Sequence, residues 1–133
     1  MYNLSSKVDY WLTLCNEDLP AAKALLASKN LLHMGFFCHL IAEKALKAVI
    51  ASDTDDVPPK THDLMKLAIL GGIQPELSEQ QLDLLRKLNP LNIEARYPQY
   101  KSKMAETLNL NICKQLMAET EELLCWITQR LDK

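Results

Sequence analysis

The segment from about Leu32 to Ser52 constrains this chain most. It contains no proline, and at about 100° per residue Met34, Phe37, Cys38, Ile41, Ala42, Ala45, Leu46, Ala48 and Val49 fall on one arc. The arc covers more than half of the helix circumference. A helix that apolar is central to a bundle or also faces a second subunit. Its remaining arc carries His39, Glu43, Lys44 and Lys47, interleaved with Phe36 and Leu40.

The flanking segments supply partners for that helix. Upstream, Val8, Trp11, Leu12, Cys15, Leu19, Ala22 and Leu26 keep the three-four spacing of a helix face. Ser5 or Ser6 is expected to cap this helix, Pro20 to kink or briefly break it, and Lys29-Asn30 to end it. Downstream, residues 52–59 read as a loop. Thr61 is expected to cap a short helix from Asp63 to about Leu70, stopped by Gly71-Gly72. Ser78 with Gln81 forms a capping box for a helix from about Glu79 to Leu88, with Asn89-Pro90 as its end. Leu91 to Lys103 reads as irregular, because Pro98 excludes a continuous helix. The last helix spans about Asn109 to Leu131, on Ile112, Cys113, Leu116, Met117, Thr120, Leu124, Ile127 and Leu131. Nothing alternates with a period of two. The expected architecture is all-α: an antiparallel up-down bundle of four to five helices, three long and two short, in one domain over residues 1–133.

Composition agrees. A chain of 133 residues with 48% hydrophobic and 24% charged residues can bury a core, and three glycines leave little material for turns. The net charge of -2 excludes a strongly basic surface, so nonspecific nucleic-acid binding by charge alone is not expected. Cys15, Cys38, Cys113 and Cys125 lie within apolar helical patterns with no CxxC or Cys/His ligand spacing. They read as buried free thiols of a reducing compartment rather than disulfides. The first residues hold no apolar run that would make a signal peptide, and no stretch is apolar enough to span a membrane. A cytoplasmic protein is the expectation.

Three constellations could carry chemistry. His39, Glu43 and Lys47 stand one helical turn apart, so Glu43 can pair with both neighbours. They form either a solvated stripe of weak ion pairs or a pocket wall; Phe36 and Leu40 on the same arc would be odd on a plain solvent face. Lys60-Thr61-His62-Asp63-Leu64 is either a simple helix start or a phosphate-binding one, with His62 and Lys60 adding donors. Glu94-Ala95-Arg96-Tyr97-Pro98-Gln99-Tyr100 can grip a planar or phosphorylated ligand. Alternatively its tyrosines plug the bundle end and Arg96 pairs with Glu94 or Glu43. No phosphate-cradling glycine loop, HExxH, metal-ligand cluster or nucleophile elbow occurs, so no cofactor, metal site or catalytic residue is assigned.

The run Ala42-Glu43-Lys44-Ala45-Leu46-Lys47-Ala48, then Thr61-His62-Asp63-Leu64, then Ala95-Arg96-Tyr97-Pro98 resembles the HEPN domain family. The first helix, with Trp11, Asp18-Leu19 and Ala22 before Leu25-Leu26, fits as well. The resemblance implies a helical bundle, often a homodimer, of a kind found in small prokaryotic proteins. Such proteins are frequently paired with a minimal nucleotidyltransferase in toxin–antitoxin modules. Some members are metal-independent ribonucleases, and others are thought to bind nucleotides without cleaving RNA. The ribonuclease members carry an arginine followed after four to six residues by a histidine. Here His33, His39 and His62 all precede Arg86, Arg96 and Arg130, so that pair is missing. The expectation is a non-catalytic module binding a nucleotide, a phosphorylated ligand or a nucleotidyltransferase partner. Its site would comprise Glu43, Lys44, Lys47, His62, Arg96 and Tyr97. The alternatives are an atypical ribonuclease toxin, improvising a site from His62 or His39 with Lys47 and Arg96, and a purely structural dimeric interaction protein in which His62 and Arg96 hold the loops to the central helix.

Overall fold

Helix α1 (Leu4–Ala27) turns back into α2 (Leu31–Asp53) through three residues. The turn is a Schellman motif: the Asn30 amide donates to the Leu25 carbonyl at 2.8 Å and the Lys29 amide to the Leu26 carbonyl at 3.0 Å. Closing it requires a left-handed residue, and Lys29 supplies it at φ 64° without the freedom of a glycine. The computed structural model describes residues 4–54, 56–96 and 108–132, except for the side chains of 4, 5 and 93–96.

After α2 come α3 (Leu64–Leu70), a 3-10 turn (Gln74–Glu76), α4 (Glu79–Arg96) and α5 (Leu110–Leu131). The fold is all-α, a helical bundle with no strand among the described residues. α2 is its axis and packs against α1, α3, α4 and α5. The wide apolar arc is therefore covered from within the chain, except at Phe37, which is partly buried. Met34, Ile41 and Leu46 of α2 meet Leu64, Leu67, Leu84, Leu85, Leu88, Leu91, Leu123 and Ile127 in one core, each less than 2% exposed. Burial of each such side chain contributes roughly 1.5–3 kcal/mol. Gly35 lets α4 approach α2 closely: a Cβ there would lie 2.9 Å from the Leu91 Cδ1.

Several local signals act as expected. Ser78 and Gln81 form the reciprocal capping box, with bonds of 2.8 and 3.1 Å. Gly72, at φ 71°, closes α3 with the same motif that Lys29 closes α1. Arg130 grips Glu76 through both carboxylate oxygens at 2.8 and 2.6 Å, tying the 3-10 turn to α5.

Other expectations need correction. Ser5 and Ser6 lie inside α1 and do not start it. α1 runs unbroken through Pro20, and α4 continues through Pro90 to Arg96, so residues 91–96 are helical and α4 is not a short helix. The reason is the same in both helices. A proline frees the carbonyl four residues before it, and here Asn16 and Arg86, like both prolines, are exposed, so water can satisfy the freed groups. The remainder of the expected irregular stretch, 97–103, falls outside the described residues. Cys15, Cys38 and Cys113 are buried free thiols, but Cys125 lies on the exposed side of α5. Ile112, read as part of the apolar face of α5, is also exposed. No helix among the described residues is long and apolar enough to cross a membrane.

The left-handed Lys29 yields a direct test of the α1–α2 turn. Lys29→Gly should raise stability by about 1 kcal/mol, seen as a higher urea midpoint at unchanged slope. A lower midpoint would contradict the turn described here.

Candidate functional site

His39, Glu43 and Lys47 lie on one stripe of α2, and all three are buried, at 0%, 5% and 8% exposure. Of the two readings of this stripe, the solvated one is excluded. A carboxylate taken out of water at this depth needs a partner for each oxygen. Glu43 has both: its Oε2 accepts from Lys47 Nζ at 2.9 Å and its Oε1 meets His62 Nδ1 at 2.9 Å. Burial pushes the Glu43 carboxyl up, but hydrogen bonds from Lys47 and His62 and the Lys47 charge outweigh it. The carboxyl is held below its ordinary value of 4.5. An ionised carboxylate only accepts, so the His62 Nδ1 carries the proton and donates. The Lys47 ammonium also lies 5.6 Å from the centroid of the Trp11 ring, which places α1 over the buried pair.

His39 fixes the same loop by its backbone. Its Nε2 donates to the His62 carbonyl at 2.9 Å, and its Nδ1 lies 3.6 Å from Glu43 Oε1. α2 therefore holds both the main chain and the side chain of His62. α4 holds the next two residues: Asn89 Oδ1 accepts the Leu64 amide at 2.9 Å, and Asn89 Nδ2 donates to Asp63 Oδ1 at 3.1 Å. Asp63 is the N-cap of α3, accepting the amides of Met65 and Lys66. The expected cap, Thr61, instead accepts the Asp63 amide at 3.2 Å, so the helix begins one residue later than the sequence pattern implies.

The strap of residues 61–64 borders a cavity of about 490 Å³, lined among the described residues by His62, Asp63, Asn89, Pro90 and Asn92. The His62 side chain is half-exposed. With Nδ1 tied to Glu43, its remaining polar atom is Nε2. Asn92 is only 4% exposed, and its Nδ2 has no hydrogen-bond partner. Such an orphaned donor costs about 1–3 kcal/mol. Among the described residues no group of three or more His, Cys, Asp or Glu is placed to hold a metal ion.

A buried Glu–Lys pair that orients a loop histidine is thus built from the same segments that carry the sequence resemblance. The family model described as the HEPN domain matches residues 8–131, nearly the whole chain. The chain belongs to the HEPN domain family. No curated protein and no solved structure matches it.

Of the residues expected to form a HEPN ligand site, Glu43, Lys47 and His62 come together. Lys44 faces α1, where its Nζ pairs with Asp18 Oδ2 at 2.6 Å. Arg96 is the last residue of α4; its side chain and the whole of Tyr97 lie outside the described residues. Asp63, expected at the start of α3, locks the strap together with Asn89; Asn89 and Asn92, which lines the cavity, were not expected at the site. Asn89 and Asn92 stand three apart on one face of α4, a pairing visible only once the helix is followed through Pro90.

Two outcomes follow from the Glu43 geometry. Glu43→Leu or Lys47→Leu alone should each cost about 3 kcal/mol, since each leaves a buried charge unpaired, whereas the double variant should cost less than their sum. Additive losses in a urea-unfolding cycle would contradict the pairing. The folded carboxyl titrates below its unfolded value, so it stabilises the fold above that value and the contribution is lost as pH falls through the folded one. Unfolding free energy should therefore drop below pH 4.5, and Glu43→Gln should flatten that part of the profile.

Proposed function

We propose that this HEPN module is a non-catalytic binding protein that takes a nucleotide or another phosphorylated ligand at the His62 face. In a toxin–antitoxin setting it would serve beside a minimal nucleotidyltransferase partner. The single observation that carries the reading is His62, held by Glu43 and His39 at the edge of a cavity large enough for a small ligand. A group fixed through both main chain and side chain is pre-organised and can bind with little loss of freedom. Arg96, at the end of α4, and Tyr97 after it are the expected further contacts. Lys47 contributes by holding Glu43, since its ammonium is buried. The missing arginine-before-histidine pair supports binding over cleavage.

One observation favours the ribonuclease alternative. An imidazole whose Nδ1 is fixed by a carboxylate is poised to use Nε2 as a base. A single pair of assays separates the readings. Purified protein should leave total and transfer RNA intact, with and without divalent metal. Adenine and guanine nucleotides should raise its melting temperature, and His62→Ala or Arg96→Ala should remove that rise. RNA cleavage lost in His62→Ala would overturn the binding reading in favour of an enzyme. Intact RNA with no nucleotide-dependent rise would overturn both and leave an interaction protein.

A further inference from the structure

We infer that the cavity between the 61–64 strap and α4 receives the base of a nucleotide, not its phosphate, and that Asn92 is the residue that binds it. The inference rests on the binding reading above and assigns the end of the ligand that enters. Three observations carry it. First, the described lining contains no lysine or arginine: Lys47 is buried against Glu43, Lys44 is paired with Asp18, and the acidic Asp63 stands at the wall. A phosphate there would meet the Asp63 carboxylate, and the one described cation that acts on that carboxylate, Lys66, is already offset by it. Second, the exposed surface of the walls is mostly apolar, and Pro90 and His62 are among the residues that line it, which suits an uncharged heterocycle.

Third, Asn92 lines this cavity, is more than nine-tenths buried, and leaves its Nδ2 without a partner. Asn89, one turn earlier, is different: both ends of its amide are engaged by the strap. The Nδ2 is buried as it stands, and the terminal torsion of a carboxamide is broad, so the donor reaches the cavity by a turn about that bond. Every nucleobase offers a ring nitrogen or carbonyl acceptor to such a donor. Binding would then supply the hydrogen bond that the free protein lacks, whereas a fully satisfied amide would gain nothing.

The test uses the full chain and compares free nucleosides with inorganic pyrophosphate by thermal shift and by titration. Nucleosides without any phosphate should raise the melting temperature. Asn92→Leu removes the orphaned donor while keeping the volume similar. It should raise the melting temperature of the ligand-free protein and weaken nucleoside affinity about tenfold. Asn92→Ala, which opens space without adding an apolar contact, should weaken nucleosides similarly. A response to pyrophosphate but not to nucleosides would overturn this inference and leave the phosphorylated-ligand reading intact. No response to either would remove both. A lower melting temperature for ligand-free Asn92→Leu, or unchanged nucleoside affinity in either variant, would show that Asn92 has a structural role only.

Discussion

A carboxylate buried at 5% exposure in the central helix is tolerable only if both of its oxygens are answered, and the rest of the site follows from how this chain answers them. Lys47, one turn on, supplies one hydrogen bond from the same helix. The other comes from His62, nineteen residues away and beyond a loop. Glu43 therefore does more than form a local pair: it makes the return of the 61–64 strap onto α2 part of its own solvation. His39, buried on the same stripe, reinforces the return through the His62 carbonyl, and Trp11 of α1 lies over the ammonium of Lys47.

That constraint propagates to α3 and α4. With His62 fixed, Asp63 falls where it can cap α3, and Asn89 reaches from α4 to both the cap and the first amide of the helix. The strap is thus held on both sides, and the space left between it and α4 is the cavity. Nothing in this arrangement requires unusual backbone. Among the described residues the non-glycine residue with a positive φ is Lys29, outside the site just before α2, where a tight reversal brings α1 along the central helix.

Much of this was legible in the sequence because helix signals are local. The three-four spacing located α1, α2 and α5 to within a few residues, and the Ser78/Gln81 box and Gly72 marked ends that the structure reproduces. The prolines misled, because their effect depends on which face they occupy, and the pattern around Asn89-Pro90 could not reveal that Pro90 and Arg86 lie on the exposed side of α4. The stripe of His39, Glu43 and Lys47 was visible, but its burial was not, since burial depends on what the strap and α1 lay over it. His62 could be singled out as a loop-end histidine and, in the interaction-protein reading, as a lock of its loop onto the central helix; Glu43 as its partner could not. Asn92 carried no signal at all, being an ordinary polar residue in a segment read as irregular.

The account turns on the bond between Glu43 and His62, and the tautomer of His62 reports on it directly. Imidazole in water favours the proton on Nε2, whereas a carboxylate at 2.9 Å from Nδ1 requires it on Nδ1. Long-range proton–nitrogen NMR of the histidine rings, recorded where the ring is neutral, distinguishes the two forms. The account predicts that His62 carries its proton on Nδ1, and that Glu43→Gln removes or weakens this preference. A His62 ring protonated on Nε2 in the native protein, unchanged in Glu43→Gln, would show that the buried carboxylate does not hold the strap.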